Sequence, residues 1–166
     1  MSTKIIILDF DGTLGDTTDV IIRTTQAAIK ELGLPSRTDA ECAAMIGLRL
    51  VEIPPVLFPD IKVDCDLYAQ TYRRIFNILN TRGAVNLYPH VLETLKELKS
   101  RGLTLTIASS RSNASLNEYI TNLDLASTIT YVLGGNDVSH GKPHPEAVNM
   151  TLEKFGFKPE EAIVVG

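Results

Sequence analysis

Two aspartates stand two residues apart near the start of the chain, where their chemistry can be read from their spacing. Asp9 and Asp11 lie at the carboxyl end of a β-branched run over 4–10, whose apolar residues predict a strand buried on both faces. Carboxylates at this spacing can face one crevice, where they repel each other unless a cation intervenes. Such oxygen ligands select Mg²⁺, and an aspartate can attack phosphorus to give an aspartyl-phosphate. Gly12 would let the backbone approach a phosphate closely.

Other polar residues follow two later apolar runs. Ser109 comes after the run 103–108, and Lys142 comes shortly after the run 129–133. Attack of a carboxylate on a phosphate joins two anions, so positive charge is needed, and Lys142 and Mg²⁺ can supply it. The Ser109 hydroxyl and nearby backbone N–H groups can hold phosphoryl oxygens.

Alternation of strands and helices predicts how these residues meet. Helical spacing of apolar residues separates the later runs from one another, with Gly102 and Gly156 closing two of the helices. The predicted strands are 4–10, 103–108, 129–133 and 162–165. This order predicts an α/β fold, a doubly wound parallel sheet, in which ligands bind at the carboxyl ends of the strands.

The stretch between the first two strands is too long for a single crossover helix. Its predicted helices are 16–32, 39–46 and a segment that begins after Asp64 and ends at Arg82-Gly83. The run Ile53-Pro54-Pro55 is expected to break regular structure. We therefore predict a discontinuous α/β core over 1–14 and 85–166 and an inserted helical cap over 15–84.

Composition excludes several classes of function. The 166 residues carry a formal net charge of −4, so no basic field exists to hold nucleic acid or an anionic membrane. No aliphatic run near the start approaches the roughly 20 residues of a membrane-spanning helix. Cys42 and Cys65 have no metal-ligand or redox spacing and indicate thiols in a reducing, cytoplasmic compartment. We expect a monomer or a weak homo-oligomer that acts on a small molecule.

Three segments, taken in order, resemble the haloacid dehalogenase-like superfamily of phosphohydrolases. They are Asp9-Phe10-Asp11-Gly12-Thr13-Leu14, Ser109 after its strand, and Gly141-Lys142-Pro143-His144-Pro145-Glu146. The resemblance covers essentially the whole chain and is greatest to the branch of phosphoglycolate phosphatases, pyrophosphatases and β-phosphoglucomutases. It implies a Mg²⁺-dependent phosphatase for a small phosphorylated metabolite, with phosphoglycolate as the leading substrate.

The resemblance also implies a role for each residue. It makes Asp9 the nucleophile and Asp11 the acid that protonates the leaving alcohol and then activates water, with Mg²⁺ on the Asp9 carboxylate and the Asp11 carbonyl. The phosphate-binding residues would be Gly12, Thr13, Ser109, Ser110 and Lys142. A cap loop containing Gly47 and Arg49 would set specificity. Arg49 would bind a second anionic group of the substrate, in a cationic cluster with Lys142 and Arg111.

Alternatives remain at this point. A phosphosugar mutase would use the same residues and return the phosphoryl group to a sugar. A receiver-type phosphoacceptor domain would also use acidic residues and a lysine, but without a helical insertion of about 70 residues. Taken singly, Ser109 suits a helix N-cap, Lys142 a solvated loop and Arg49 an ordinary surface.

The histidines and the aromatic stripe of the cap have ordinary structural interpretations. His90 is expected to start a helix. His144, directly before Pro145, is expected to be the N-cap of the helix that follows. No histidine has a metal-ligand or triad spacing, and none is assigned a catalytic role. The stripe Tyr68, Tyr72 and Phe76 predicts packing inside the cap.

The superfamily's fourth motif is matched only in part. It consists of a strand, a glycine and acidic residues that complete the Mg²⁺ site, and residues 163–166 match the strand and the glycine. Asp137 belongs to the loop before Lys142 and is not assigned as the third ligand. We therefore expect a truncated form of a longer protein. A non-catalytic phosphate-binding fragment is the alternative from a different class.

Overall fold

A four-stranded parallel sheet is the centre of the fold in this computed structural model, which describes residues 2–81 and 83–166. The strands are β1 Ile5–Leu8, β2 Thr104–Ala108, β3 Tyr131–Leu133 and β4 Ala162–Val165. Their order in the sheet is β3-β2-β1-β4. Ile5 of β1 pairs with Thr104 on one side and Ala162 on the other. The predicted doubly wound parallel α/β fold is confirmed.

The chain divides into two compact units, Met1–Gly15 with Leu87–Gly166, and Asp16–Asn86. The first unit contains the sheet and the helices α5 Val91–Ser100, α6 Asn113–Asn122 and α7 Glu146–Phe155, with a 3₁₀ turn at Pro159–Glu161. The second unit contains the helices α1 Thr18–Glu31, α2 Asp39–Ala43, α3 Ile53–Leu57 and α4 Cys65–Leu79, with a 3₁₀ turn at Leu50–Glu52. Of the helices described, none has the length and apolar character needed to cross a membrane.

Burial explains why β1 is apolar at every position. All four of its residues are buried, and Ile5 and Ile7 pack with Ala108 of β2 and Leu152 of α7. A strand covered on both faces has no solvent side for polar residues to occupy. β4 lies at an edge of the sheet, and its residues Ile163, Val164 and Val165 are exposed.

Helix ends in the first unit follow the predicted signals. His90 is the N-cap of α5, and Gly102 follows the C-cap of the same helix with φ +83°. Gly156 is the C-cap of α7 with φ +68°. Both glycines occupy the left-handed region, where a side chain would be strained, so these predicted helix ends are confirmed.

The prediction that Ile53-Pro54-Pro55 breaks regular structure is wrong. These residues begin α3, with proline in its first turn. Backbone N–H groups in the first turn of a helix have no intrahelical partner, so proline removes no hydrogen bond there. Proline therefore interrupts a helix at an interior position but is compatible with the first turn.

The long cap helix α4 begins where predicted and ends earlier. The Asp64 side chain accepts hydrogen bonds from the Asp66 N–H at 3.1 Å and the Leu67 N–H at 3.0 Å, which confirms its N-cap role. The helix ends at Leu79, before the predicted end at Arg82-Gly83; Arg82 lies outside the described residues. The shorter helix α2 also ends early, at Ala43 and not at residue 46.

Aromatic side chains of α4 form the core of the second unit. Tyr68, Tyr72 and Phe76 are buried, with successive ring centroids 6.3 and 6.1 Å apart, which confirms the predicted packing stripe. The buried Tyr68 hydroxyl makes no recorded hydrogen bond, although the Thr25 hydroxyl lies beside it. Burial raises the pKa of Tyr68 to about 12, partly opposed by Thr25. Tyr68 therefore stabilises the second unit through the packing of its ring and not through its hydroxyl.

We expect Tyr68→Phe to change the free energy of unfolding by less than about 1 kcal/mol, because the lost hydroxyl has no hydrogen bond to forfeit. Tyr68→Ala removes the ring and should cost about 3–5 kcal/mol. Urea unfolding followed by circular dichroism measures both values. A cost above about 2 kcal/mol for Tyr68→Phe would mean that the hydroxyl is satisfied after all.

Candidate active site

The carboxyl end of β1 lies beside the point where the strand order of the sheet reverses. The chain proceeds from β1 through β2 to β3 on one side and places β4 on the other, and ligands of open α/β sheets bind at such a point. Asp9 follows β1 directly, and its N–H donates to the Val165 carbonyl of β4 at 2.8 Å. A Cβ added to Gly166 would come within 3.2 Å of the Asp9 Cβ, so glycine leaves room for this carboxylate.

Lys142 is brought to Asp9 by the loop between β3 and α7. Its Nζ lies 3.0 Å from Asp9 Oδ1, and the Asp9 side chain is 15% exposed. The predicted pairing of a carboxylate with this lysine is therefore present in the structure. Lys142 contacts Oδ1 of the carboxylate and not Oδ2.

A tight turn after β1 places the second aspartate. The Phe10 carbonyl accepts hydrogen bonds from the N–H groups of Thr13, Leu14 and Gly15, and the Gly12 N–H donates to the Gly15 carbonyl at 3.0 Å. Gly12 has φ +75°, which favours glycine. The turn itself therefore favours glycine at position 12, whatever it binds.

Asp11 is held by Arg111, a pairing that the sequence did not reveal. Arg111 Nη2 donates to Asp11 Oδ1 at 2.7 Å, and its Nε lies 3.2 Å from Oδ1 and 3.1 Å from Oδ2. The Asp11 side chain is 12% exposed and the Arg111 side chain 10% exposed. Arg111 was expected in a substrate-binding cationic cluster, but in this structure its guanidinium pairs with Asp11. The two residues are 100 positions apart, so no local pattern links them.

Arg111 is itself fixed from several directions. Its Nη1 donates to Ser115 Oγ at 3.1 Å, and its guanidinium lies 5.1 Å from the centre of the Tyr119 ring. Its carbonyl accepts the Gly135 N–H at 2.8 Å. A buried arginine with this many contacts is a rigid support for a carboxylate.

Ser109 lies at the carboxyl end of β2 and is buried. Its N–H donates to the Leu133 carbonyl at 3.0 Å, and its Oγ accepts the Arg111 N–H at 3.3 Å. The second contact is a local turn bond of the kind that serine often makes. Ser110 comes next, at the same edge of the sheet as Asp9, because β1 and β2 are parallel neighbours.

Two glycines under this loop were missed from the sequence. A Cβ at Gly134 would lie 2.3 Å from the Asn113 nitrogen, and one at Gly135 would lie 2.4 Å from the Ser110 carbonyl oxygen. Only glycine permits so close an approach of two backbones. The available signal was the Gly-Gly pair directly after the β3 run.

A carboxylate closes the loop that carries Lys142. Glu146 accepts the Ser139 N–H at 2.8 Å and the His140 N–H at 2.9 Å, and its Oε2 lies 2.8 Å from His140 Nδ1. The hydrogen bond from Ser139, followed by those from His140, lowers the pKa of Glu146 to about 2. The prediction that His144 is the N-cap of the following helix is wrong. Pro145 is the N-cap of α7, and His144 accepts the Glu146 N–H through Nδ1 at 3.3 Å.

Asp137 has a structural use in the same region. Its Oδ2 accepts the Gly134 N–H at 2.8 Å and the Asn113 side-chain amide at 2.6 Å. Both contacts tie the loop after β3 to the start of α6.

The predicted specificity residues belong to the second unit and are described within it. Gly47 has φ +98°, a conformation that favours glycine. Arg49 donates to Glu52 Oε1 through Nε at 2.8 Å and Nη2 at 2.6 Å. Burial raises the pKa of Glu52, but the hydrogen bonds from Arg49 outweigh it and hold that pKa below its ordinary value.

The donor chemistry of the site fits Mg²⁺. Asp9 offers Oδ2, the oxygen away from Lys142, next to the space that a Cβ at Gly166 would fill. Both side-chain oxygens of Asp11 are occupied by Arg111, which leaves its backbone carbonyl as the available donor. One carboxylate and one carbonyl, with water completing the shell, is a usual protein contribution to a Mg²⁺ site.

The fold and this arrangement define an α/β enzyme that keeps a carboxylate, a lysine and a serine at the carboxyl ends of parallel strands. The sequence model of the haloacid dehalogenase-like hydrolase family matches residues 6–166 of this chain. The chain therefore belongs to this family. The chain is 31% identical to "Pyrophosphatase PpaX" of Oceanobacillus iheyensis, covering 100% of this chain and 75% of that protein. It is 29% identical to a phosphoglycolate phosphatase of Photorhabdus laumondii, covering 98% of this chain and 71% of that protein.

A solved structure agrees with these relatives. A protein from Bacteroides fragilis, described as a haloacid dehalogenase-like hydrolase, superposes with a TM-score of 0.92 at 26% identity. The superposition covers 99% of this chain and 79% of the other. The predicted superfamily, and the prediction of an enzyme of the phosphatase class, are confirmed.

The Arg111–Asp11 pair predicts a measurable coupling. In metal-free buffer, Arg111→Ala should lower the free energy of unfolding by about 3 kcal/mol, because it leaves a mostly buried carboxylate unpaired. A double-mutant cycle with Asp11→Ala should give a coupling of about 1–3 kcal/mol. Arg101→Ala breaks an exposed pair with Glu97 and is the matched control, with an expected cost below about 1 kcal/mol. A coupling near zero would contradict the pairing.

Proposed function

We propose that this chain is a Mg²⁺-dependent phosphatase that hydrolyses a small phosphorylated metabolite through an aspartyl-phosphate on Asp9. The observation that carries the proposal is the Asp9 carboxylate, fixed at the end of the central strand with Lys142 Nζ 3.0 Å from one oxygen. A carboxylate that is to attack a phosphate must meet a second anion, and a neighbouring cation lowers the cost of that approach.

Asp9 attacks the phosphorus, and the bond from phosphorus to the leaving oxygen breaks. One oxygen of the Asp9 carboxylate attacks, and Lys142 Nζ, 3.0 Å from Oδ1, offsets the negative charge of that carboxylate. Lys142 also remains within reach of the phosphoryl oxygens and offsets the charge that accumulates on them. Mg²⁺, when bound to the Asp9 carboxylate and the Asp11 carbonyl, supplies the remaining positive charge.

Asp11 transfers the proton in both halves of the reaction. It gives a proton to the leaving alcohol oxygen and later takes one from the water that hydrolyses the aspartyl-phosphate. Arg111 donates to both Asp11 oxygens and so fixes the orientation of the carboxylate that exchanges the proton. Arg111 acts through Asp11 and is a positioning residue.

The phosphoryl group is held by the loop after β2, beside the turn after β1. The Ser109 hydroxyl and the Ser110 N–H donate to phosphoryl oxygens. Gly12 and Thr13 form the turn beside the phosphate, and their own N–H groups are bonded to the Gly15 and Phe10 carbonyls within that turn. The positive φ of Gly12 turns its backbone so that no side chain stands between the turn and the phosphate.

The substrate is a small cytoplasmic phosphomonoester, with phosphoglycolate the leading member. Relatives that carry the names phosphoglycolate phosphatase and pyrophosphatase support a substrate with a second anionic group. The net charge of −4 disfavours nucleic acid and anionic membranes as partners. We expect a monomer or a weak homo-oligomer.

The decisive experiment measures Mg²⁺-dependent phosphate release from a panel of phosphoglycolate, pyrophosphate and sugar phosphates. Asp9→Asn should lower kcat by at least about 10³-fold, because it removes the nucleophile but keeps the shape. Asp60→Asn, an exposed aspartate of the second unit, is the matched control and should keep full activity. Release that survives Asp9→Asn would refute the mechanism.

Arg49 gives a prediction about specificity. To bind the carboxylate of phosphoglycolate, Arg49 has to exchange Glu52 for it. On that proposal Arg49→Ala should raise KM for phosphoglycolate about tenfold, because the charged hydrogen bond to the carboxylate is lost. KM for ethyl phosphate, which lacks that carboxylate, should not change. Arg73→Ala, an exposed arginine of α4, is the control. Equal effects of Arg49→Ala on both substrates would show that Arg49 does not read the second anion.

A further inference from the structure

The loop before α7 brings two histidines and a glutamate into one cluster. One ligand atom each from His140, His144 and Glu146 lies within 4.8 Å of the other two. The two imidazole rings are 4.6 Å apart between centroids. Within the two described stretches of the chain, this is the one group of three or more such residues that could hold a metal ion.

We propose that His140, His144 and Glu146 form a second divalent-metal site, of the Zn²⁺ type, distinct from the oxygen site of Asp9. Two imidazole nitrogens and one carboxylate oxygen are borderline donors that suit Zn²⁺, whereas Mg²⁺ prefers oxygen alone. The two sites therefore differ in the metal that they select, although both lie in the same unit.

Distances among the three ligands support a shared ion. Tetrahedral Zn²⁺ with bonds of about 2.0–2.1 Å separates its ligand atoms by about 3.3 Å. Glu146 Oε2 lies 2.8 Å from His140 Nδ1 and 3.9 Å from His144 Nδ1, on either side of that value. The histidine side chains are 66% and 51% exposed, so small rotations can bring both nitrogens to the required spacing.

The glutamate is already positioned as a ligand. Two backbone N–H groups, from Ser139 and His140, fix its carboxylate, and they remain available to do so when a metal binds. The metal replaces the hydrogen bond between His140 Nδ1 and Oε2 and the one that His144 Nδ1 accepts from the Glu146 N–H. It leaves a fourth position for water.

A second histidine–glutamate pair on the surface supplies a contrast. His90 Nδ1 lies 3.0 Å from Glu93 Oε2, and both side chains are exposed. The pair has the same chemistry but no third ligand among the residues described around it. It should not hold a metal tightly and serves as the matched control.

Isothermal titration calorimetry with Zn²⁺ tests the site. Excess Mg²⁺ is present to fill the Asp9 site, and Cys65→Ser is carried in every variant so that the half-buried thiol cannot bind zinc. The parent chain should bind one Zn²⁺. His140→Ala and His144→Ala should each weaken that binding by more than about tenfold, and His90→Ala should leave it unchanged.

Three results would overturn the proposal. They are no Zn²⁺ binding by the parent, unchanged affinity in both His140→Ala and His144→Ala, or an equal loss in His90→Ala. Thermal unfolding without metal checks that the variants fold, and the visible absorption of bound Co²⁺ reports whether nitrogen ligands are lost. Neither readout depends on phosphatase activity, so this result is independent of the proposed function.

Discussion

Charge balance at the carboxyl end of β1 is the constraint on which the site depends. Asp9 and Asp11 are two carboxylates at one strand end, and each is met by a cation from a different loop, Lys142 for the first and Arg111 for the second. The two pairings differ in kind. A single lysine contact leaves an oxygen of Asp9 to act, whereas the guanidinium fork immobilises Asp11. Different environments give like groups different chemical roles.

The parallel sheet makes these pairings possible. Because β1, β2 and β3 run in one direction, the loops that follow them open at one edge, and Asp9, Ser109 and Lys142 come from three such loops. Close backbone approaches at Gly134 and Gly135 seat the β2 loop against the β3 loop. The hydrogen bonds of Glu146 then fix the segment that carries Lys142. Stability of the loops and chemistry of the site are therefore linked.

Local patterns in the sequence were enough to predict the strands and most of the helices, and to place Asp9 and Lys142 after strands of one parallel sheet. These features depend on residues close in the chain or on the known edge of a parallel sheet. The Arg111–Asp11 pair could not be predicted, since it joins residues 100 positions apart. The His140, His144 and Glu146 cluster follows no known ligand spacing and arises from the path of its loop. The helix at Ile53–Leu57 was not predicted, because its two prolines were taken to break a helix although they lie in the first turn, where proline is tolerated.

The proposed mechanism depends most on Asp9 as the acceptor of the phosphoryl group. Transfer to Asp9 and then to water consists of two in-line displacements at phosphorus, each of which inverts its configuration. Hydrolysis of a phosphate ester made chiral with oxygen isotopes and sulfur measures the net outcome. The proposed mechanism predicts net retention of configuration at phosphorus. Net inversion would show that water attacks the substrate directly and would contradict it.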